Sequence, residues 1–208
     1  MLHHSTVEPA TLDILKKLLA ITELENFFLV GGTCLSLRYG HRISVDLDLF
    51  SVNDFDKEEI IVAIKKVYPQ FTYRNDNNPV GVFGFIDNVK IDLVKHHYFK
   101  QIDTPVIEEG IRMFGDRDII AMKIFAILKR AQKKDFWDVA ELLKHYSVQD
   151  FIDCYNEKYP NTQLLIGIPH AISFFIDAEE SDAPQSLKKQ TWAGIKKSIQ
   201  KKVTAYLK

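Results

Sequence analysis

The sequence has little cysteine, no long apolar run and no excess of either charge. Only two cysteines, Cys34 and Cys154, occur in 208 residues, and their separation matches no metal-binding spacing. Two unpaired thiols suit a reducing compartment. No stretch reaches the ~18 apolar residues of a membrane span, and residues 1–17 lack the apolar run of a signal peptide. We therefore expect a soluble, cytoplasmic protein with no membrane partner.

The charge balance excludes little by itself. The chain has 27 Lys and Arg against 28 Asp and Glu, a formal net charge of -1. Only the distribution of these charges can argue for a polyanionic partner. The 46% of hydrophobic residues is enough for a sizeable core, and the length fits one domain or two small ones.

Hydrophobic periodicity divides the chain into two parts. The first part mixes predicted helices with predicted strands: helices at 6–24, 33–39 and 56–68, and strands at 27–30, 44–51, 71–74, 80–86 and 89–95. Asp87-Asn88 predicts a tight hairpin turn between the last two strands. From residue 116 every segment is predicted helical: 118–130, 135–146, 147–159, 164–178 and 187–207. The sequence thus predicts an α+β fold, with a small mixed sheet and flanking helices in residues 1–110 and a helical lobe in residues 111–208.

Two aspartates one residue apart carry the first functional signal, in the stretch FFLVGGTCLSLRYGHRISVDLDLFS. If residues 44–51 form a strand, Asp46 and Asp48 leave the same face, roughly 6–7 Å apart. Two like charges this close repel each other unless a positive group lies between them. A divalent cation with hard oxygen ligands, such as magnesium, is the usual solution.

A third acid, Asp92, lies in the alternating segment VKIDLV. If its strand neighbours the first, three carboxylates converge, an arrangement that suits two metal ions in phosphoryl or nucleotidyl transfer. One ion then activates the attacking hydroxyl, and the other holds the triphosphate. Asp92 can also act as the base on that hydroxyl.

The glycine pair before the aspartates predicts a phosphate cradle. Gly31 and Gly32 let the backbone approach a ligand closely, since they lack a Cβ. Thr33 follows at a predicted helix start, where free N–H groups attract phosphate. Taken alone, a glycine pair is usually only a turn and Asp-x-Asp only a solvated strand face; their combination with Asp92 favours a catalytic site.

These residues resemble a known family. Gly31-Gly32-Thr33, Asp46-Leu47-Asp48 and Asp92 resemble the DNA polymerase beta-like nucleotidyltransferase superfamily. Within it, the pattern Arg42-x-Ser44-x-Asp46-x-Asp48 is similar to the AbiEii/AbiGii (MenT-like) toxin group. Residues 121–143 resemble that group's helical signature, in which Lys123 matches a lysine that contacts the triphosphate and Asp135 and Asp138 match two later acids. The residue before Asp135 is Lys134 where the group has arginine, so a bidentate fork is lost.

The resemblance implies a nucleotidyltransferase-like sheet with a helical lobe and the site in the cleft between them. It implies an NTP donor with Mg²⁺ or Mn²⁺ held by the three aspartates. Nucleotide-binding roles carry over to eight residues: Gly31, Gly32, Thr33, Arg42, Ser44, Lys123, Asp135 and Asp138. The implied acceptor is the 3′ end of tRNA, and the implied partner is a separately encoded antitoxin protein.

Several of these residues have simpler explanations. Lys123 can be a lysine at the edge of the core whose ammonium reaches solvent. Asp135 and Asp138 can complement a helix dipole, or Asp138 can orient Lys123 or an arginine. Arg42 can cap the preceding helix instead of reaching a phosphate. His96 and His97 are poor joint metal ligands, because adjacent strand residues point to opposite sides.

Three functions remain open at this point. The enzyme can modify tRNA, or it can modify a protein or a small molecule such as an aminoglycoside. The chain can also be a non-catalytic partner-binding module on the same fold. The C-terminal segment SLKKQTWAGIKKSIQKKVTAYLK, with seven lysines and no acid, can hold an RNA backbone or be the solvated face of a helix that packs Ile195, Ile199 and Val203 inward.

Overall fold

The computed structural model describes residues 1–74, 78–96 and 99–208. Within these ranges seven strands form one sheet: β1 (Phe27–Leu29), β2 (Leu47–Ser51), β3 (Thr72–Tyr73), β4 (Gly81–Ile86), β5 (Val89–Lys95), β6 (Val106–Glu108) and β7 (Ile111–Met113). The same ranges hold eight α-helices: α1 (Pro9–Leu19), α2 (Gly31–Tyr39), α3 (Lys57–Val67), α4 (Asp116–Lys129), α5 (Lys133–Leu142), α6 (Val148–Lys158), α7 (Ile168–Ser173) and α8 (Trp192–Tyr206).

The sheet is mixed, as predicted, with strand order β3-β4-β5-β2-β1-β7-β6. β2 runs antiparallel to β1 and parallel to β5, so the two strands with aspartates are direct neighbours. The predicted hairpin between β4 and β5 is confirmed, and both turn residues, Asp87 and Asn88, have positive φ, as a tight two-residue turn of this kind requires. The α+β fold class is therefore correct.

Alternation along β2 and β5 separates an apolar face from a polar one. Leu47 and Leu49 on β2 are fully buried in the core, as are Ile91 and Leu93 on β5. The residues between them face the other side, because successive side chains on a strand alternate. This alternation places the aspartates of the two strands on one face of the sheet.

The segment before β2 differs from the prediction. The strand begins at Leu47, so Asp46 lies just outside it. Residues 43–46 are bound by other parts of the chain: the N–H of Ile43 donates to the carbonyl of Gln185, and that of Ser44 to the carbonyl of Thr6. These bonds replace the ladder that a longer strand would have made.

A β-hairpin was missed at the edge of the sheet. β6 and β7 pair with each other, and β7 adds to β1 through the pairing of Met113 with Leu29. The predicted division at 110/111 falls in the turn of this hairpin, so the sheet extends past it. We propose that the sheet part of the molecule ends at Met113, just before α4.

The helical part follows the prediction with shorter elements. The predicted cap of α6 is confirmed as a capping box, formed by Ser147 and Asp150. The predicted helix at 164–178 shrinks to α7 and a short 3₁₀ turn. On α8 the predicted inward face is confirmed, since Ile195, Ile199 and Val203 are buried.

Two further sequence-based expectations meet the structure here. No helix in the described ranges is long and apolar enough to cross a membrane. His96 directly follows β5 and is buried, whereas His97 lies outside the described residues.

Candidate active site

The centre of the site is a pair of aspartates on neighbouring strands. Asp48 of β2 stands directly opposite Asp92 of β5 in the parallel register. Adjacent strands are about 4.8 Å apart, so the two carboxylates share one small region of the sheet face. The sequence predicted that these two acids converge only if their strands are neighbours. In the structure the strands are neighbours, and the two acids do converge.

The negative charge of these two carboxylates is only partly balanced by neighbouring cations. Burial and the neighbouring Asp92 raise the pKa of Asp48 above its usual value. Lys90 donates to one oxygen of Asp92, but the other oxygen, Oδ1, is buried without a hydrogen-bond partner in the described chain. An orphaned carboxylate oxygen beside a second carboxylate is the donor set of a divalent cation.

The third acid, Asp46, is turned elsewhere. One carboxylate oxygen lies 3.6 Å from the ammonium of Lys134, at the start of α5. Consequently, no three His, Cys, Asp or Glu side chains in the described ranges are close enough to form a complete metal site. Asp46 would complete a three-carboxylate set with Asp48 and Asp92 by leaving Lys134.

The two glycines make room for side chains of this site. Gly31 has a φ of +69°, and a Cβ there would lie 2.5 Å from Oδ2 of Asp48. A Cβ on Gly32 would lie 2.2 Å from a guanidinium nitrogen of Arg42. Helix α2 begins at Gly31, and no side chain caps its N-terminus. The glycines therefore let Asp48 and Arg42 pack against an uncapped helix start.

Thr33 and Ser44 hold the segment that carries Asp46. Thr33 is buried, its hydroxyl donates to the carbonyl of Asp46, and it lies 2.8 Å from the hydroxyl of Ser44. The Thr33 hydroxyl thus has partners within the protein. Ser44 also lines a polar cavity beside the site, which is described below.

Asp138 links the sheet part to the helices. Its carboxylate accepts two bonds from Arg42, at 2.7 and 2.9 Å, and lies 2.7 Å from the Nε2 atom of His41. The ammonium of Lys123 is also 2.7 Å away. Burial opposes ionisation of Asp138, but Arg42 and Lys123 outweigh it and hold the pKa of this carboxyl well below its usual value.

Lys123 and Asp135 extend this buried charge network. Lys123 is 5% exposed and contacts Asp135 at 3.1 Å as well as Asp138. Burial favours the neutral amine, yet the two carboxylates together raise the pKa of Lys123. Asp135 also accepts two bonds from Arg130, both at 3.3 Å. Asp135 and Asp138 thus orient the cations of the site from within the protein.

Two cavities meet at the aspartates. A polar cavity of about 360 Å³ is lined by Gly32, Arg42, Ser44, Asp46, Lys134 and the segment 182–185. An aromatic cavity of about 420 Å³ is lined by Asp92, His96, Phe99, Met122, Phe125 and Tyr159. Asp48, Lys123 and Arg130 belong to both. The pair of cavities gives the site two approaches, of which only the second reaches Asp92.

Sequence reasoning missed several lining residues. Arg130 reaches both cavities, and its side chain is 51% exposed. Lys134 was noted only for replacing an arginine. The segment 182–185 reaches the site because Ser186 bridges to Arg42 and Leu187 bonds to His41. Within this segment only Pro184 gives a local sequence signal. No hydrophobic periodicity connects the segment to the sheet.

Comparison with known proteins identifies the family. The model of one family, described as "Nucleotidyl transferase AbiEii toxin, Type IV TA system", matches residues 13–205. The chain belongs to the AbiEii nucleotidyltransferase toxin family. It is therefore a nucleotidyltransferase, as the motifs predicted. A relative from Aquifex aeolicus (strain VF5), described as "Uncharacterized protein aq_aa25", is 30% identical over 207 residues, covering 94% of this chain and 95% of the relative.

Solved structures share the fold of this AbiEii protein. MenT4, a nucleotidyltransferase toxin of Mycobacterium tuberculosis H37Rv, superposes with a TM-score of 0.54 at 10% identity, covering 93% of this chain and 82% of MenT4. ANT(2″)-Ia, in complex with adenylyl-2″-tobramycin, superposes with a TM-score of 0.54 at 13% identity, covering 70% of this chain and 95% of ANT(2″)-Ia. A crystal structure of an H. pylori protein named as a nucleotidyltransferase gives 0.58 at 18% identity, covering 95% of each chain. At these identities the likeness concerns the fold alone.

Proposed function

We propose that this AbiEii protein transfers a nucleoside monophosphate from an NTP to the 3′-terminal hydroxyl of tRNA, with Mg²⁺ or Mn²⁺, as the toxin of a toxin–antitoxin pair in the cytoplasm. The observation that carries the proposal is the register of Asp48 against Asp92, with an orphaned oxygen on Asp92, between two cavities. Two facing carboxylates, one of which keeps an unpartnered oxygen, match a reaction that needs divalent cations.

Asp46, Asp48 and Asp92 would hold the metal. When bound, the metal supplies positive charge to the triphosphate and to the attacking oxygen. Asp92 takes the proton of the acceptor hydroxyl, whose oxygen then bonds to the α-phosphorus. The bond from that phosphorus to the bridging oxygen breaks, and pyrophosphate leaves with the electron pair.

The polar cavity suits the donor's phosphates. Gly32, in the uncapped first turn of α2, lines it, and the free N–H groups and dipole of that helix start favour an anion. Arg130 and Lys134 add cationic side chains that reach solvent. In this arrangement Arg42, Ser44 and Lys123 contact the nucleotide from the cavity wall.

Asp135 and Asp138 are positioning residues in this proposal. Both are completely buried and face the cations, not the cavity. They fix Arg42, Lys123 and Arg130 in place, and their own negative charge would repel a triphosphate at closer range.

Charge around the second cavity favours RNA over a cationic drug as acceptor. Lys95, Lys129 and Arg130 line the aromatic cavity, against Asp48 and Asp92. Once a cation neutralises the two acids, the remaining charge is positive. A polyanionic acceptor is attracted to such a cavity and an aminoglycoside is repelled.

A transfer assay tests this function directly. The protein is incubated with magnesium, total tRNA and each of four α-labelled NTPs separately, beside the Asp46→Ala variant. We expect label on tRNA with one or two of the NTPs, and none with the variant.

Other outcomes change the conclusion. Label that appears only on protein would mean that the acceptor is a protein and not tRNA. Label on an added aminoglycoside but not on tRNA would contradict the RNA proposal. Full activity in Asp46→Ala would remove Asp46 from the metal site.

A further inference from the structure

The aromatic cavity has features that phosphate binding does not explain. It lies on the Asp92 side of the aspartate pair and is walled mostly by rings and aliphatic chains. The donor's charged groups already have a site in the polar cavity. Of the two cavities, only the aromatic one reaches Asp92, the base of the proposed reaction.

Two of its rings are open to solvent. Phe99 is 42% exposed and Phe125 is 38% exposed, although large apolar side chains are ordinarily covered. Both rings lean on the buried Tyr159, with centroids 5.1 and 5.4 Å away, so they are held in place from behind. A supported aromatic ring that remains partly exposed is the element on which proteins stack nucleobases.

A buried, unpartnered polar atom lies in the same wall. His96 is 5% exposed and is enclosed by Phe50, Phe99 and Phe114, and its Nε2 has no hydrogen-bond partner in the described chain. Burial lowers the pKa of His96 to about 3, so its imidazole is neutral at neutral pH. A neutral imidazole among rings offers a hydrogen bond to an aromatic heterocycle and no charge to a phosphate.

Cations stand at the rim beside the exposed ring. The ammonium of Lys129 lies 5.6 Å from the centre of the Phe125 ring, and Arg130 follows it at the end of α4. A nucleotide stacked on Phe125 would therefore place its phosphate near these two side chains. Ring, hydrogen-bonding group and rim cations together match one nucleotide and its 5′ phosphate.

We propose that the aromatic cavity is the acceptor subsite and takes the unpaired 3′-terminal base of an RNA, stacked on Phe125 and Phe99 and hydrogen-bonded by His96. This inference rests on the proposed function and names the part of the acceptor that the site reads. It makes the terminal base, and not only the backbone charge, a determinant of acceptor binding.

Binding of short RNAs tests the subsite without any reaction. The probe is a 5′-fluorescein-labelled single-stranded RNA of about 10 nucleotides, compared with the same RNA carrying an abasic 3′-terminal ribose. Anisotropy is measured with Mg²⁺ present and NTP absent, so that no transfer occurs. For the unaltered protein we expect the abasic end to weaken binding about 5- to 150-fold, since base–aromatic stacking accounts for that range.

Variants assign the effect to the ring. Phe125→Ala should weaken binding of the normal RNA by a similar factor and leave little further effect of the abasic end, because both changes remove one stack. Phe125→Tyr should restore binding. Phe174→Ala is the matched control, since this ring is also 38% exposed and lies outside both cavities.

The outcomes separate this inference from the proposed function. Equal binding of normal and abasic RNA by the unaltered protein overturns the acceptor subsite, even if tRNA is labelled in the transfer assay. So does an abasic effect that persists in full in Phe125→Ala. A failed transfer assay with an intact, Phe125-dependent effect of the terminal base overturns the proposed reaction and leaves the base-binding subsite standing.

Discussion

Asp48 and Asp138 are both aspartates of the candidate site, yet their surroundings act on them in opposite directions. Burial and Asp92 raise the pKa of Asp48, whereas Arg42 and Lys123 overcome burial and lower the pKa of Asp138. At neutral pH, ionised Asp48 therefore destabilises the folded state, whereas ionised Asp138 stabilises it. The first pattern is typical of a site that awaits a cation, and the second of a structural ion pair.

Replacing Asp48 should separate activity from stability. Asp48→Asn keeps the shape of the side chain and removes the like-charge repulsion with Asp92. We expect transfer to fall at least about 100-fold, since a metal ligand is lost, while the melting temperature at pH 7 stays equal or rises. Calorimetry beside the transfer assay measures both, and a melting temperature several degrees lower would mean that Asp48 holds the fold.

Replacing Asp138 should do the reverse. Asp138→Asn leaves Arg42 and Lys123 buried without their main counter-charge, which typically costs about 3–5 kcal/mol of unfolding free energy. Urea unfolding at pH 7 measures this loss. The control is Asp13→Asn on α1, whose exposed pair with Lys17 is screened by solvent, so this variant should unfold like the unaltered protein.

The pH dependence of stability should follow Asp138. Because its pKa is lower in the folded chain than in the unfolded one, its contribution is complete above the usual value of 3.8 and is lost as the pH falls below it. The difference in urea midpoint between the unaltered protein and Asp138→Asn should therefore be smaller at about pH 3 than at neutral pH. A difference that stays constant between these pH values would contradict the assignment.

At the scale of single elements, the start of α2 shapes the site through the absence of two side chains. Gly31 and Gly110 both have positive φ, at +69° and +78°. A Cβ on Gly31 would meet Asp48, but a Cβ on Gly110, in the β6–β7 turn, would meet nothing within 4 Å. The two positions form a natural pair that separates backbone strain from disturbance of the site.

Gly31→Ala and Gly110→Ala should therefore differ in activity more than in backbone strain. Each forces alanine into the left-handed region, at a cost of about 1–2 kcal/mol. Only Gly31→Ala should displace the Asp48 carboxylate, and we expect it to lose nearly all transfer while Gly110→Ala retains it. Similar activity in the two variants, measured at equal folded fraction, would show that Asp48 tolerates the displacement.

The elements also show where sequence could predict this structure. Strands β2 and β5 have five and seven residues, long enough for the period of two to show that Asp48 and Asp92 share a face once the strands are neighbours. Strands β6 and β7 have three residues each, too few for any period, and β7 joins the sheet through a contact with the distant strand β1. The prediction that Asp46 lies on the strand was wrong for a similar reason, because bonds from Ile43 and Ser44 to residues far along the chain delay the start of β2 to Leu47.

The charged side chains of the site were only partly predictable. Lys123, Asp135 and Asp138 could be named from the pattern of the helical segment, but their mutual pairing depends on how α4 packs on α5. Arg130 follows α4 directly, at a position where sequence suggests only a surface cation. Its place between two cavities is a property of the assembled sheet and helices, which local patterns do not encode.

At the scale of the whole molecule, the sheet and the helical part share one interior. A single cluster of buried apolar side chains runs from Leu29 and Leu47 in the sheet to Phe136 in α5 and Ile199 in α8. The buried contact of Arg42 with Asp138 crosses the same boundary. Segment 182–187 then returns to the sheet side through Arg42 and Ile43. We infer that the two parts depend on each other for stability.

Unfolding should therefore occur in one step. Both tryptophans, Trp137 and Trp192, lie in the helical part and stack on each other, so their fluorescence follows that part alone. Far-UV circular dichroism follows the whole chain. We expect the two guanidinium unfolding curves to coincide, as they do in two-state transitions.

A fragment of residues 1–113, deprived of Asp138 and of the helices that cover its core, should remain unfolded. Separate transitions, or a folded fragment, would instead mean that the helical part is a detachable domain and that the buried pair of Arg42 and Asp138 is dispensable for the sheet.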